Sequence, residues 1–277
     1  MRAVRGLTGR MAVYALTSTF ERVATLRQAG IMPMVGNLDD PLTLRRLAGL
    51  ATRVLYLAPP PSEGWRDPRT AALTAALRLR SMPVSMVYGS TSGVYGDCKG
   101  EVALETRAVN AHTPRSIRRV DAERRVRHVG RATGVRASIL RIPGIYAPDR
   151  EGGTPRTRLL KGTPVLMAED DVYTNHIHAD DLARACIKAI WLGKPQRIYN
   201  INDDTRLLMG DYFDLAADLY GLNRPPRVPR SLAQDQLPLM LLSFMAESRL
   251  MENQRMKREL KLVLHYPTVA TGLLPKT

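Results

Sequence analysis

Short apolar runs alternate with segments of helical spacing through the first half of the chain. Ala12-Val13-Tyr14-Ala15-Leu16 is an apolar run ending in Thr17-Ser18-Thr19, which predicts a strand and then a helix start. Phe20 to Ala29 carries Phe20, Val23, Ala24 and Leu26 at helical spacing, and Gly30 stops it. Pro33-Met34-Val35 predicts a second strand, closed by Gly36-Asn37-Leu38-Asp39-Asp40-Pro41. There Asp40 is placed to cap and Pro41 to open a helix reaching about Leu47. Arg53 to Ala58 is a third strand, apolar without alternation as in a strand buried on both faces. A helix over Asp67 to Arg80, a strand over Val84 to Tyr88, a helix over Arg115 to Gly130 and a strand over Val135 to Arg141 continue the series.

Such alternation predicts crossover units and an α/β, doubly wound parallel sheet covered by helices on both faces. Past Pro143 the pattern changes to Gly/Pro-rich connections and helices over 154–161, 179–192, 209–220, about 231–242 and 248–260. A smaller, mostly helical C-terminal lobe is expected there. The expected division is 1–143 plus about 176–202 for the sheet domain, with about 144–175 and 203–277 in the lobe.

Composition narrows the class. At 277 residues, with 44% hydrophobic and 24% charged, the chain is long and apolar enough for a packed core. Aromatics at 5% argue against a protein that stacks single-stranded bases. The net charge is 41 − 26 = +15, yet only seven of the 41 basic residues are lysine; such an arginine bias often reflects genome base composition, so the excess alone is weak evidence for a nucleic-acid partner. Cys98 and Cys186 are far apart and form no C-x-x-C pair, which predicts neither disulfide framework nor zinc ribbon and fits a cytoplasmic location. No run approaches the ~18 apolar residues of a membrane span.

In an open parallel sheet, ligands sit at the carboxyl ends of the strands. After the fourth predicted strand come Ser90-Thr91-Ser92-Gly93-Val94-Tyr95-Gly96-Asp97, three hydroxyls and a glycine turn able to face a substrate carbonyl or hydroxyl. Such a cluster is also an ordinary turn former. No G-x-S-x-G elbow is present, because Thr91 stands at the centre of Gly89-Ser-Thr-Ser-Gly93.

Three segments in order, Tyr88-Gly-Ser-Thr-Ser-Gly-Val-Tyr-Gly-Asp97, Leu140-Arg-Ile-Pro-Gly-Ile-Tyr146 and Asn175-His-Ile-His-Ala-Asp-Asp-Leu-Ala-Arg184, resemble the extended short-chain dehydrogenase/reductases. They look most like the atypical, NAD(P)-dependent epimerase/dehydratase-like branch. Leu55-Tyr-Leu-Ala58, Gly36-Asn-Leu-Asp-Asp-Pro41 and the C-terminal Ser248-Arg249, Asn253 and Tyr266-Pro267-Thr268 fit the same likeness, which spans about residues 12–272.

The resemblance implies a Rossmann-like domain holding a nicotinamide dinucleotide, and a lobe closing over a nucleotide-sugar or other polar substrate. It implies Thr91 as the active-site Ser/Thr. Leu57 and Ala58 would lie along the adenosine half, and Asn37 and Leu38 at adenine, with Asn37 where the family usually has Asp. Pro143, Gly144 and Ile145 would line the nicotinamide end through backbone groups. At the end of the first predicted strand, Thr17 and Ser18 with Arg22 one turn on favour the 2′-phosphate of NADP over NAD.

Two departures modify this expectation. A dinucleotide fold opens with a strand and a Gly-rich turn into a helix, roughly 20 or more residues before the second strand. Only eleven residues precede Ala12, and Gly6-Leu-Thr-Gly9 follows no strand, so it reads as a loop or remnant. The missing strand is the central one, between those at 12–16 and 53–58. Either the true start lies upstream or the copy is degraded, and the chain as written is expected to be poorly stable.

The second departure is at the family's Tyr-x-x-x-Lys pair, whose positions hold Arg115 and Arg119. Arginine cannot lose its proton, so Arg115 cannot be the base, while Arg119 could still bind ribose hydroxyls as lysine does. Tyr95 and Asp121 are the alternative bases nearby. Each also has a structural reading, Tyr95 as turn packing and Asp121 as a helix partner for Arg124 or Arg125.

Eight arginines lie within 115–136, against Asp121 and Glu123 alone, predicting a solvated face or an anion site for a phosphorylated substrate or cofactor. Duplex binding would require that strip to follow phosphates. His176, His178, Asp180 and Asp181 have the look of a metal set, but the resemblance makes them a strand-to-helix junction with Asp180 or Asp181 capping, and no metal is expected. The functional expectation is an NAD(P)-dependent oxidoreductase or epimerase/dehydratase with an atypical site. Its alternative is a catalytically degenerate binding or regulatory protein on the same fold. A small-molecule substrate is the expected partner and a homodimer is compatible with the sequence; neither a membrane nor nucleic acid is expected.

Overall fold

The computed structural model describes residues 1–5, 7–237 and 239–275. Along the chain run β1 (Tyr14–Thr17), α1 (Arg22–Gln28), β2 (Met32–Val35), a 3-10 helix (Pro41–Leu47), β3 (Arg53–Tyr56), α2 (Pro68–Leu77) and β4 (Ser85–Thr91). Next come β5 (Val102–Ala103), α3 (Pro114–Thr133), β6 (Arg136–Ile142), β7 (Gly144–Tyr146), α4 (Arg156–Leu160), β8 (Val165–Leu166) and β9 (Tyr173–Thr174). The rest is β10 (His176–His178), α5 (Ala179–Leu192), β11 (Arg197–Asn200), β12 (Leu207–Leu208) and α6 (Met209–Tyr220). After these follow β13 (Arg227–Val228), α7 (Arg230–Gln236), α8 (Leu239–Met245), β14 (Leu250–Met251) and α9 (Gln254–Glu259).

The chain divides into two units, one of Met1–Val94, Ala111–Arg141 and Ala183–Tyr199, the other of Tyr95–Asn110, Ile142–Leu182 and Asn200–Thr277. In the first, the α/β alternation is realised as a four-stranded sheet in the order β11-β6-β4-β3 and a separate parallel pair, β1-β2. Among the described residues no strand joins β1 to β3. Tyr14, Met32 and Val35 on β1 and β2 are exposed, whereas the first six residues of β4 are all buried. Gly6 lies outside the described residues, and Gly9 occupies a turn at φ +85° rather than the end of a strand.

Capping chemistry sets the helix starts. Asp67 accepts the Thr70 amide at 3.1 Å ahead of Pro68, opening α2. Thr113 and Ser116 form a reciprocal capping box at α3, and Gly134 in the left-handed region ends it at φ +74°. Asp40 caps as expected by accepting the Leu42 amide, but the segment it opens is a 3-10 helix and not an α-helix. The core of this unit packs Leu73 and Leu77 of α2 and Ala122 and Val126 of α3 on Tyr56, Met86, Tyr88 and Ile139 of the sheet.

The second unit is held by α6, whose Tyr212, Phe213, Ala216 and Ala217 pack with Tyr146, Leu159, Val165, Val269 and Leu273. Its strands are short: β7 pairs with β10, β8 with β13 and β5 with β14, all parallel, and β9 with β12 antiparallel. The helix expected over 231–242 is two pieces, and 248–260 divides into β14 and α9. Asp203 is buried at the foot of this unit, where its carboxylate accepts the Thr205 amide at 2.9 Å.

Burial pushes the Asp203 carboxyl up to about 7 from its ordinary 3.8, despite the Thr205 bonds. The folded state therefore holds a proton that the unfolded chain has released. Stability is expected to be fully present below about pH 4 as regards this group, and to be lost as pH rises to about 7. Urea unfolding across that range checks this, and Asp203→Asn is expected to flatten the decline.

Candidate active site

The site begins at the carboxyl end of β4. Ser90 is buried and donates to Glu123 Oε1 at 2.6 Å. Glu123 in turn takes a two-pronged bond from Arg141, Nε to Oε1 at 3.1 Å and the terminal nitrogen to Oε2 at 2.8 Å. Both side chains of this ion pair are almost fully buried, so each carries the other's desolvation cost. α3, β4 and β6 are joined at one point.

One turn earlier, Arg119 is also buried. A single terminal nitrogen donates to the Gly89 carbonyl at 2.6 Å, the Tyr88 hydroxyl at 3.0 Å and the Ala58 carbonyl at 3.4 Å. These acceptors belong to the ends of β4 and β3. Burial drives the Tyr88 hydroxyl well above its ordinary pKa, so it stays a protonated hydrogen-bond partner. Ser116, Arg119 and Glu123 share one helix face by their three- and four-residue spacing. Arg115, four residues before Arg119 at the edge of that face, is exposed. Thr91, half-buried, accepts the Gly93 amide at 3.3 Å.

A second cluster lies at the carboxyl ends of β1 to β3. The Gly36 amide donates to the Thr17 carbonyl at 3.0 Å, joining the ends of β1 and β2. Thr17 Oγ1 closes a small turn by accepting the Thr19 amide at 3.2 Å; Ser18 and Arg22 beyond it are exposed. Arg69 on α2 then clamps the loops after β2 and β3, gripping Asp39 with two bonds of 2.7 and 2.6 Å and the Pro59 carbonyl at 3.1 Å. The Arg69 guanidinium holds the Asp39 carboxyl below the usual range. Within this clamp Asn37 is exposed and accepts the Asp39 amide on its side-chain oxygen, leaving its NH2. Leu38 and Ala58 pack on the same core, and Leu57 is an exposed apolar side chain.

The remaining expected residues lie in the second unit. Gly144 and Ile145 form β7 beside His176 and Ile177 of β10, after Pro143. Tyr95 is fully buried and its hydroxyl donates to Asn200 Oδ1 at 2.7 Å. Gly96 follows at φ +63°, where any Cβ would strike the Asn110 carbonyl oxygen. Asp121, back in the first unit, accepts the Asp67 amide at 2.9 Å and pairs with Arg125 at 3.4 Å.

At the junction, the Asp181 carboxylate accepts the His265 and Tyr266 amides at 2.9 to 3.0 Å. His178 stacks on Tyr266 with ring centres 3.6 Å apart, and His176 lies 4.1 Å from the Tyr212 ring. Burial holds His176 down at about 3, neutral at any ordinary pH. Among the described residues, no three His, Cys, Asp or Glu side chains gather as a metal set. No described helix is long and apolar enough to cross a membrane.

A family model for the NAD dependent epimerase/dehydratase family matches residues 61–202, about half of the chain, including β4, α3 and β6. The chain belongs to this family. No curated protein matches it. Among solved structures, it is similar to a functionally unknown conserved protein from Silicibacter pomeroyi, 27% identical with a TM-score of 0.79 over 98% of this chain and 92% of that one. It has the fold of the UDP-glucose 4-epimerase of Thermotoga maritima, solved with UDP-glucose (18% identical, TM-score 0.78, 98% and 91% covered). The UDP-glucuronic acid 4-epimerase of Bacillus cereus, in complex with NAD, shares it too (14%, 0.75, 98% and 92%).

Sequence reading missed Arg69, Glu123 and Arg141 as site-building residues. The placement of Glu123 on the Ser116–Arg119 face was the one available signal. Arg69→Ala is expected to release the loops after β2 and β3: hydrogen exchange at Asn37 and Asp39 should speed several-fold. Global stability should change by less than about 1 kcal/mol, since the ion pair is partly exposed.

Proposed function

We propose that this family member is an NAD(P)-dependent oxidoreductase or epimerase/dehydratase-type enzyme acting on a nucleotide-sugar or other polar carbonyl or hydroxyl substrate. The observation that carries the reading is the Arg69 clamp, which keeps the loops bearing Asn37, Leu38, Leu57 and Ala58 together at the carboxyl ends of parallel strands. These residues fit the adenosine half of the cofactor. Asn37 offers its amide to adenine, Leu38 and Leu57 offer apolar surface, and Thr17, Ser18 and Arg22 offer the small polar and cationic surroundings that suit the 2′-phosphate of NADP. When bound, the nicotinamide supplies the hydride acceptor. Thr91 orients the substrate through its hydroxyl, on a turn fixed by the bond of its neighbour Ser90 to Glu123. Pro143, Gly144 and Ile145 serve the nicotinamide end through backbone groups.

The usual ribose and proton-transfer positions fit less well. Arg119 is spent on Gly89, Tyr88 and Ala58, and no arginine can act as base, so no proton step is assigned to Arg115 or Arg119. Tyr95 is turned to Asn200 and Asp121 to Asp67 and Arg125, which supports their structural roles.

That same use of Arg119 favours a second reading, a dinucleotide-fold binding or regulatory protein without turnover. Titration with NADPH and NADH, followed by a substrate panel of nucleotide-sugars and polar carbonyls, separates the two. The enzyme reading expects NADPH binding and turnover above background. Binding without turnover throughout the panel establishes the second reading, and no binding of either cofactor overturns both.

A further inference from the structure

In the second unit, the turn 202–205 and the C-terminal segment 266–273 meet over Tyr146. The Asp204 amide donates to the Pro267 carbonyl at 2.7 Å, and the Val269 amide to the Thr205 hydroxyl at 3.0 Å. Gly272 lies so close that a Cβ there would stand 2.9 Å from the Tyr146 hydroxyl oxygen. That hydroxyl donates to the Thr268 carbonyl at 3.2 Å, and it also lies beside the Asp203 carboxyl. Thr205 serves this carboxyl through its amide and hydroxyl, the amide donating to Oδ1 at 2.9 Å, yet Oδ2 is buried with no hydrogen bond. No cation pairs with Asp203 among the described residues, and Lys257 beside α9's end of the turn goes to Asp204. Tyr212 of α6 and Asp181 of α5 act on Tyr146 through charge, and Arg158 of α4 acts on Tyr212 and His176. Burial keeps His176 of β10 neutral and both tyrosine hydroxyls protonated.

A protonated carboxyl has one hydrogen to donate, and an ionised one has none. With the proton on Oδ2, Asp203 can donate to Tyr146 while Tyr146 donates to Thr268, and the chain of bonds is complete. Without it, a buried carboxylate keeps a bare oxygen, which is costly unless a donor turns to it. The Tyr146 hydroxyl is a donor with two acceptors in reach. We propose that Asp203 and Tyr146 form a pH-operated latch on the C-terminal segment: the hydroxyl holds the Thr268 carbonyl while Asp203 is protonated, and turns to the carboxylate once that proton leaves. The latch is closed in mild acid and opens as pH rises past about 7, where burial has set the carboxyl.

Hydrogen exchange of the full chain, read by mass spectrometry at about pH 6 and about pH 8 and corrected for the intrinsic pH dependence of exchange, tests this. Protection over residues 268–273 is expected to fall at least about threefold between the two, while β4 in the first unit keeps its protection. Asp203→Asn carries an amide that donates at either pH and should stay protected at both. Tyr146→Phe removes only the hydroxyl and should show the weaker protection at both. His178, stacked on Tyr266, and His265 are the other titratable rings at this segment, and a pH dependence of theirs would persist in Asp203→Asn. Persistence in that variant, unchanged protection in the wild type, or an equal loss in β4 overturns the proposal. So does a Tyr146→Phe chain that keeps the wild-type response.

Discussion

Everything at the carboxyl end of the sheet depends on how α3 is fastened to it. A carboxylate and two guanidiniums are buried there, and burying such ions is costly unless they are paired or hydrogen-bonded. Glu123 finds Ser90 and Arg141, and Arg119 finds the Gly89 carbonyl and the Tyr88 hydroxyl. These bonds pin one helix to β4 and β6 and set the path of the chain from Gly89 into Thr91. The hydroxyl turn is therefore the rigid output of a buried polar network, and not a loop free to choose its shape.

The fastening has a chemical consequence. An arginine cannot lose its proton at ordinary pH, so Arg115 is no base, and the bonds of Arg119 go to the Gly89 carbonyl and the Tyr88 hydroxyl. At the strand ends of the first unit, Arg69 holds the loops after β2 and β3 together and the Thr91 hydroxyl stands half-buried.

The doubly wound order was legible because apolar runs, Asp and Thr caps, prolines at first turns and Gly134 all act locally. The 3-10 form of Pro41–Leu47 was not, because the same cap and proline open either kind of helix. Two-residue strands such as Val165–Leu166 carry no periodicity to read. The bonds that build the site were hidden for a different reason: Asp39 and Arg69 are 30 residues apart and Glu123 and Arg141 are 18 apart, so only the fold pairs them.

The most direct test of this account is urea unfolding of the ligand-free Arg119→Met variant. Removing the guanidinium strands a buried carbonyl and a buried hydroxyl, so a loss of at least about 2 kcal/mol is expected. An unchanged unfolding midpoint, with NADPH binding abolished, would show that Arg119 serves a ligand instead of the strand ends and would contradict the account.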